Sequence, residues 1–529
     1  MKSFLKSLGE HLPFYLVAIS LTLIVSALYL TGTASGGDWA WRGVPLDDTW
    51  IHLVYARSLA EQGGFFYNPG IPEAGMSSPF WVALLALAYK LVSPLGITPQ
   101  WIAKGTTLFF ALLVPMVTYH TALALGLKRG WAWVAGLAVI LESNLAYGNV
   151  AGMEAPLASL LLLAAIWAVA RQRPVLAGLS IGFLVVTRGE GVPLALVIGA
   201  VPVLQKYLGR KKFEFLNRGE ISLGLKLFLP ALLTGSLWAF YNLKVSGHIL
   251  PNTYYVKHNF SLGWFNPDNI FNLWTGYFRY LSLFERGLWI LCLAAIGVAV
   301  YHAIRVRRWD ILAWVALVPF LHIYLFSNNI KVAADGVLWT YFTRRYLDVI
   351  LPILVLLVAY GLNAAWEIVQ ASQKRLAFLV TPMVMLTGLA LFIYNTAARN
   401  LQFITEYSWD TQNIETVDVA MARWVGENLP PETVIAATDA GALRYFAVPG
   451  QTIVDFIGLN CAACIGRPAD ELLNAFAPDY VIFFRQGLNN SWQYEELFGI
   501  TAERVIILGG RELVAVRMLA LPPWPPQQP

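Results

Sequence analysis

Hydrophobic residues are concentrated in about a dozen long runs along the chain, and short polar segments separate these runs. Two examples are LPFYLVAISLTLIVSALYL at 12–30 and LDVILPILVLLVAYGL at 347–362. Such runs are apolar on every face, which is typical of helices surrounded by lipid or by other helices. Because lipid offers backbone polar groups no partner and the runs lack barrel-like alternation, we predict helical spans. The predicted segments are 12–31, 79–94, 101–125, 131–148, 153–170, 174–187, 191–207, 225–244, 287–304, 309–326, 346–366 and 376–396.

The pattern changes near residue 398. Residues 415–430 have helical periodicity, PADELLNAFA indicates another helix, and ETVIAAT, QTIVDFIG, DYVIFF and RVIIL have the character of short buried strands. DAGALRYF at 439–446 resembles a strand-to-helix turn, although it lacks the glycine-rich fingerprint of a nucleotide site. We therefore predict a mainly α protein with about 11–12 spans and a small α/β domain. The predicted divisions are a transmembrane domain at 1–397, an extracytoplasmic α/β domain at 398–518 and a proline-rich tail at 519–529.

Composition supports a membrane protein, since only 13% of the 529 residues are charged and 57% are hydrophobic. A typical soluble domain has about 25% charged residues. The net charge of +5 is small for this length, and the basic residues lie in short clusters between apolar runs. That distribution is explained by membrane topology rather than by nucleic-acid binding. Lys2 and Lys6 precede the first run without a cleavage site, so we expect an uncleaved first span.

The basic clusters predict the topology in the cell membrane. They are Lys2 with Lys6, LKRG at 127–130, RQR at 171–173, GRKKFEFLNR at 209–218, RVRR at 305–308 and QKR at 373–375. If all are cytoplasmic, every segment from 101 onward crosses the membrane. The segment 79–94 is then a re-entrant or interfacial helix, unless Lys128 and Arg129 of LKRG break the rule. We expect a cytoplasmic N-terminus, an extracytoplasmic C-terminus, and outer loops at 32–78, 247–286 and 327–345.

Carboxylates, Asn, Tyr, His and further cations gather at the predicted outer face, as they would around one extracytoplasmic site. For Glu154, Arg188 and Glu190, ion pairing between helices and a shared polar cavity both remain open. Cys461 and Cys464 form CAAC, which is either incidental or a short-loop disulfide on the oxidising side.

A transfer reaction at the outer face needs a donor carried on lipid, because nucleotide-activated donors are cytoplasmic. Lys257, Arg344 and Arg345 are predicted to bind the donor phosphate, with membrane anchoring as the alternative for the arginines. A fixed aspartate can accept the proton of an acceptor hydroxyl. Adjacent residues do not share one helix face, so Asp47 and Asp48 are expected to differ in role.

One of the two aspartates would face the acceptor, while the other caps a helix or binds a cation. The alternative is that both only cap the helix that begins near Thr49. Ile51, Val54, Tyr55 and Leu59 form the apolar stripe of this helix, a glycine pair ends it, and we expect it to lie in the outer interface.

Several motifs in order between residues 40 and 355 resemble the multi-span GT-C glycosyltransferases, in particular the arabinofuranosyltransferase-like and mannosyltransferase-like group. They are the DD pair, YARSLAEQGGFFYNPG, EAGMSSPFW, AGMEAPL, TRGEG, GHILPNTYYVK and RRYLDVILP. The resemblance implies a polyprenyl-phosphate sugar donor, an extracytoplasmic hydroxyl acceptor on a glycan, lipid or protein, and an inverting displacement. It leaves a divalent cation, Mg or Mn, optional.

By the same resemblance Asp47 is the general base, Asp48 the supporting or metal-facing carboxylate, and Lys257 and Arg345 the phosphate contacts. The residues assigned to the sugar or acceptor pocket are Tyr55, Glu154, Arg188, Glu190, Asn252, Tyr255 and His258. AADGVLW departs from the family pattern, which leaves the role of Asp335 open.

The main alternative is a transporter or flippase of lipid-linked sugars. It predicts polar motifs on both membrane faces and helices broken near the midplane. The glycine-interrupted TRGEG gives this alternative some support, whereas the one-sided distribution of polar groups favours an enzyme. An inactive membrane scaffold would leave Asp47, Lys257 and Arg345 unexplained.

Overall fold

The structure, a computed structural model, describes residues 2–189, 191–208, 218–258, 288–314, 341–345, 348–372, 375–504 and 512–523. The helices of the first part of the chain are α1 Lys2–Leu30, α2 Trp39–Arg42, α3 Asp47–Gln62, α4 Pro79–Val92, α5 Pro99–Ala124, α6 Arg129–Leu141, α7 Ser143–Gly148, α8 Ala155–Ala170, α9 Pro174–Val185, α10 Gly191–Leu208, α11 Arg218–Ser246 and α12 Asn252–His258. Those that follow are α13 Leu288–Arg305, α14 Trp309–Leu312, α15 Tyr341–Arg344, α16 Leu351–Ser372, α17 Arg375–Asn413, α18 Ala420–Asn428, α19 Gly441–Phe446 and α20 Ala469–Phe476. A β-hairpin, β1 Phe66–Asn68 and β2 Ile71–Pro72, lies between α3 and α4.

With one exception, the predicted segments are helical over most of the length that the structure describes. Among the described residues four helices are long and apolar enough to cross a membrane: Gly9–Leu30, Pro99–Ala124, Arg218–Ser246 and Leu351–Ala371. Shorter apolar helices pack beside them, and the chain is a multi-pass membrane protein.

The segment 131–148 departs from the prediction because it is two helices instead of one. Glu142 separates them in an extended conformation, and its carboxylate accepts the backbone N–H of Leu145 at 2.8 Å. This contact satisfies one of the N–H groups that a helix start leaves without a partner.

Helix α3 begins at Asp47, as the two acidic residues in its first turn favour. It ends before Gly63, whose φ of 74° is the left-handed conformation that glycine adopts without strain. Residues 49–56 are buried on every face of the helix, including the polar Thr49 and His52. Protein therefore encloses α3, whereas the sequence predicts one apolar stripe on a helix at an interface.

The C-terminal domain is built on a five-stranded sheet. Its strands are β3 Val434–Ala437, β4 Thr452–Asp455, β5 Tyr480–Phe484, β6 Gln493–Thr501 and β7 Glu512–Ala520. The order is β4-β3-β5-β7-β6, in which β3 is parallel to β4 and β5, and β7 is antiparallel to β5 and β6. Helix α17 passes through residue 398, where the sequence places the domain boundary, and a π-helical turn at Ile414–Val419 leads into α18.

Alternation along the central strands gives the sheet two apolar faces. One face, which includes Val481 and Phe483, packs against α20. The other, which includes Ile435 and Ile482, shares a single hydrophobic core with α3 and α4. The sheet is thus packed directly onto α3, and this packing positions the candidate site.

Candidate functional site

Asp47 joins α3 to the C-terminal domain. Its two carboxylate oxygens accept the backbone N–H groups of Gly441 and Ala442, each at 2.7 Å, at the start of α19. The absence of a side chain at Gly441 permits this approach, since a Cβ there would lie 2.4 Å from the Asp47 backbone oxygen. The DAGALRYF turn is confirmed as a strand-to-helix turn, and the anion at its N–H groups is a carboxylate of the same chain.

Asp48 forms an ion pair with Arg345. The Arg345 side chain is 4% exposed, while the side chain of Asp48 is 29% exposed. Adjacent aspartates thus have different partners, as expected from their different faces on α3.

Arg344 has other partners, although it is next to Arg345. Its guanidinium binds both oxygens of Glu406 at 2.9 Å, donates to Asn144 at 3.1 Å and lies 4.0 Å above the ring of Phe403. A buried arginine with such partners links α7, α15 and α17. The two arginines that are predicted to bind phosphate therefore have different surroundings. Arg345 lies beside Asp48, whereas Arg344 forms a buried ion pair with Glu406.

A pocket opens between α3 and the carboxyl ends of β3 and β4. Its lining residues are Leu46, Asp47, Asp48, Ile51, Thr438, Asp439, Ala440, Asp455 and Leu459. Asp455 is held by the turn that follows β4, because its carboxylate accepts N–H groups of Ile457, Gly458 and Asn460.

Burial and mutual repulsion raise the pKa values of these carboxyl groups. Burial raises the pKa of Asp47 to about 6, against the lowering effect of the Ala442 and Gly441 amides. Burial also raises the pKa of Asp455 to about 6, although the hydrogen bonds from Asn460 lower it. Burial and the charges of Asp47, Asp48 and Asp455 raise the pKa of Asp439 to about 8. Such perturbed groups in one pocket are characteristic of functional sites.

A second cluster of buried polar side chains, Arg188, Glu154 and His52, lies close enough to Asp48 for an electrostatic interaction with it. Arg188 binds Glu154 at 3.1 Å, and the other oxygen of Glu154 is 3.9 Å from Nδ1 of His52. Burial lowers the pKa of His52, while the charges of Glu154 and Asp48 raise it. Ion pairing, one of the two alternatives for Glu154 and Arg188, is thus observed.

The architecture is similar to that of two kinds of solved membrane enzyme. The crystal structure of the Archaeoglobus fulgidus oligosaccharyltransferase in the apo form superposes with a TM-score of 0.57 at 13% identity, covering 89% of this chain and 69% of that chain. Apo ArnT from Cupriavidus metallidurans superposes with a TM-score of 0.58 at 14% identity, covering 97% and 98%. The same enzyme bound to undecaprenyl phosphate gives 0.54 at 14% identity, covering 97% and 99%. Both proteins are GT-C membrane glycosyltransferases. The chain has the GT-C fold.

Sequence comparison adds one family match. A family described as a domain of unknown function, DUF8728, matches residues 402–516, which include the sheet of the C-terminal domain. No curated protein matches the chain.

In this GT-C fold, Asn252 and Tyr55, which are predicted for the sugar or acceptor pocket, form hydrogen bonds that connect distant parts of the chain. Asn252 is fully buried, and its backbone N–H donates to the carbonyl of Ala74 at 3.0 Å. Tyr55 donates to Asn460 at 3.1 Å, which links α3 to the C-terminal domain.

Tyr255 packs against His248, with ring centroids 4.5 Å apart, and its hydroxyl oxygen accepts the N–H of Leu250 at 3.5 Å. The side chains of Lys257 and His258 lie outside the described residues, as do Glu190 and Asp335.

The described residues do not form a metal site. Among them no group of three or more His, Cys, Asp or Glu side chains has an arrangement that could hold an ion. Asp48 alone does not supply the several oxygen ligands that Mg²⁺ or Mn²⁺ requires. A cation at Asp48 therefore stays a prediction.

Cys461 and Cys464 form a disulfide, which was one of the two alternatives for CAAC. The bond lies in the segment that follows Asn460, close in sequence to the pocket residue Leu459.

Sequence reasoning missed Thr438, Asp439, Asp455 and His52. A signal for the first three exists, because β3 and β4 are parallel neighbours and polar residues stand at the carboxyl end of each. Ligands of open α/β sheets bind beyond the carboxyl ends of the strands. His52 follows Asp48 by four residues, which places both on one helix face.

Proposed function

We propose that this protein is a membrane glycosyltransferase that moves a sugar from a polyprenyl-phosphate donor to an extracytoplasmic hydroxyl acceptor. The observation that carries the proposal is the meeting of two carboxylates and a cation in one GT-C fold. Asp47 and Asp48 lie on one turn of α3, and Arg345 pairs with Asp48 beside the pocket. A base that accepts the acceptor proton and a cation that stabilises the departing phosphate both promote transfer from a lipid phosphate.

The proposed reaction is a single displacement with inversion. The acceptor oxygen attacks the anomeric carbon, the bond from that carbon to the phosphate oxygen breaks, and polyprenyl phosphate leaves with the bonding electrons. Asp47 accepts the acceptor proton. A pKa of about 6 leaves Asp47 mostly ionised at pH 7 and close enough to neutrality for proton transfer.

The Gly441 and Ala442 amides fix the orientation of Asp47, so the base does not have to be ordered during the reaction. Arg345 is the proposed phosphate contact, because a guanidinium has five N–H donors in a planar fork that matches phosphate oxygens. The incoming phosphate would compete with Asp48 for this guanidinium. Lys257 remains the second proposed contact.

A lipid-phosphate donor is also supported by the fold comparison, since one of the similar structures is ArnT bound to undecaprenyl phosphate. For the location of the site, the Cys461–Cys464 disulfide favours the oxidising side of the membrane. We therefore keep the cytoplasmic N-terminus and the extracytoplasmic C-terminal domain as part of the proposal.

The test is incubation of the purified full chain with a panel of polyprenyl-phosphate pentoses and hexoses, with methyl mannoside or methyl arabinofuranoside as the hydroxyl acceptor, followed by measurement of released polyprenyl phosphate. We expect release from at least one donor and its loss in Asp47→Asn. Asp38→Asn is a matched control, because Asp38 lies nine residues before Asp47 and its exposed side chain pairs only with the exposed Arg42 in the described structure. A flippase would move the donor across a vesicle membrane without releasing phosphate.

A further inference from the structure

Three of the four aspartates that line the pocket are already committed to protein partners. Asp47 binds two backbone amides, Asp48 binds Arg345, and Asp455 binds the amides of its own turn. The fourth, Asp439, has no hydrogen-bond or ion-pair partner among the residues that the structure describes. It is half-buried and follows the carboxyl end of β3.

A neighbouring hydroxyl has the same property. Thr438 Oγ1 is buried and lacks a hydrogen-bond partner within the described part of the chain, and Thr438 lines the same pocket. A buried polar atom without a partner destabilises the folded protein, because it has lost its hydrogen bonds to water. Native structures retain such atoms where a ligand or water satisfies them. Thr438 and Asp439 are therefore two adjacent groups, both on the C-terminal domain, that are available to a bound molecule.

The chemistry of these two groups fits a neutral hydroxyl better than a cation. A divalent cation takes about six oxygen ligands, whereas the aspartates other than Asp439 are already engaged by N–H groups. A carboxyl group and a hydroxyl can instead donate to and accept from the hydroxyl groups of a sugar. The raised pKa of Asp439, about 8, agrees with this because a protonated carboxyl can donate as well as accept.

We propose that Asp439 and Thr438 bind the hydroxyl-bearing acceptor, so that the C-terminal domain supplies the acceptor side of the site while α3 supplies the base. This inference rests on the proposed function, and it specifies a neutral sugar hydroxyl as the acceptor chemistry. It also explains the contact between Asp47 and α19, since the turn between β3 and α19 would then hold both the base and the acceptor.

The first part of the test does not need turnover. The full-length protein, in a detergent without a sugar headgroup, is treated with a carbodiimide near pH 7, and modification of Asp439 is measured by peptide mass spectrometry. We expect methyl mannoside or methyl arabinofuranoside to slow the modification. Protection by Mg²⁺ or glucosamine but by no neutral glycoside would overturn the proposal, as would the absence of any protection.

The second part uses the donor that the wild-type protein turns over, with the same methyl glycosides as acceptors. Asp439→Asn should raise the acceptor KM about tenfold, the effect of one lost hydrogen bond, and should lower transfer to the glycoside by a larger factor than it lowers release of polyprenyl phosphate to water. Glu427→Gln, an exposed charge in the same domain, is the matched control.

Asp439→Glu provides a check on folding, because it retains the carboxyl group and should restore part of the acceptor affinity. An Asp439→Asn variant in which transfer and hydrolysis fall by the same factor would contradict acceptor binding. If no donor releases phosphate at all, the proposed function fails, and the protection experiment still decides whether Asp439 binds a neutral glycoside.

Discussion

Gly441→Ala is the most direct perturbation of the contact between α3 and the C-terminal domain. The added Cβ would lie 2.4 Å from the backbone oxygen of Asp47 and 2.7 Å from its carboxylate Oδ2. Favourable contacts between non-bonded atoms lie near 3.5–4.0 Å, so α19 and α3 must separate by about 1 Å. Such a displacement would break or weaken both amide hydrogen bonds to Asp47.

The magnitude follows from those two bonds. A hydrogen bond to a charged group contributes about 1.5–3 kcal/mol, so two contribute about 3–6 kcal/mol. If partial relaxation preserves half of this, Gly441→Ala lowers the free energy of unfolding by about 1.5–3 kcal/mol. The amides also lower the pKa of Asp47. Weakening them therefore raises that pKa above 6 and increases the protonated, inactive fraction at neutral pH.

The assay is thermal unfolding of the detergent-solubilised full chain, followed by tryptophan fluorescence, for Gly441→Ala, Asp47→Asn and the double variant. Gly487→Ala is the matched control, because its Cβ would meet no atom closer than 3.6 Å. We expect Gly441→Ala to lower the midpoint by several degrees, Gly487→Ala to have little effect, and the double variant to lose less than the sum. Equal midpoints for the two alanine variants, or strict additivity, would refute the reasoning.

Three further predictions concern the charges and the topology. Arg345→Gln should weaken binding of polyprenyl phosphate about tenfold or more. Arg344→Gln should chiefly lower the thermal midpoint, because Arg344 is bound to Glu406. Equilibrium binding and thermal unfolding of both variants would distinguish these effects. The rate of phosphate release should rise with pH up to about 6 and level off above it, since the raised pKa of Asp47 keeps the base protonated below that pH. A rate that falls across this range would indicate that the titrating group acts as an acid instead of a base. Cysteine labelling should report position 210 as cytoplasmic and position 258 as external, and the reverse pattern would exclude an external site.

Much of the fold follows from periodicity. The apolar runs predict the helices because burial and lipid exposure both require continuous hydrophobic surface. The strands β3, β4 and β5 are predicted because they are short, apolar and largely buried. The sequence does not predict strands β6 and β7. Strand β6 consists of exposed and half-buried residues, among them the exposed Glu495 and Glu496, and lacks the buried apolar run of the other strands.

The candidate site is less visible in the sequence. Asp47, Asp48 and Arg345 are charged residues in a mostly hydrophobic chain, so they are easily recognised in the sequence. Asp47 contacts backbone N–H groups 394 and 395 positions away, and backbone donors have no side-chain signature. Arg344 and Arg345 look equivalent in the sequence, and only the structure shows that Arg344 forms an ion pair with Glu406. Asp439 could have been found by treating the carboxyl ends of β3 and β4 as a binding edge.

The central claim is that α3, Arg345 and the C-terminal domain together form a glycosyl transfer site. The most direct measurement is release of polyprenyl phosphate from a panel of polyprenyl-phosphate sugars, in the presence of methyl glycoside acceptors, by the wild-type protein, Asp47→Asn and Asp38→Asn. We predict release by the wild type and by Asp38→Asn, and a loss of about 100-fold or more in Asp47→Asn, the size typical of removing a general base. No release from any donor, or equal release by Asp47→Asn and the wild type, would contradict the claim.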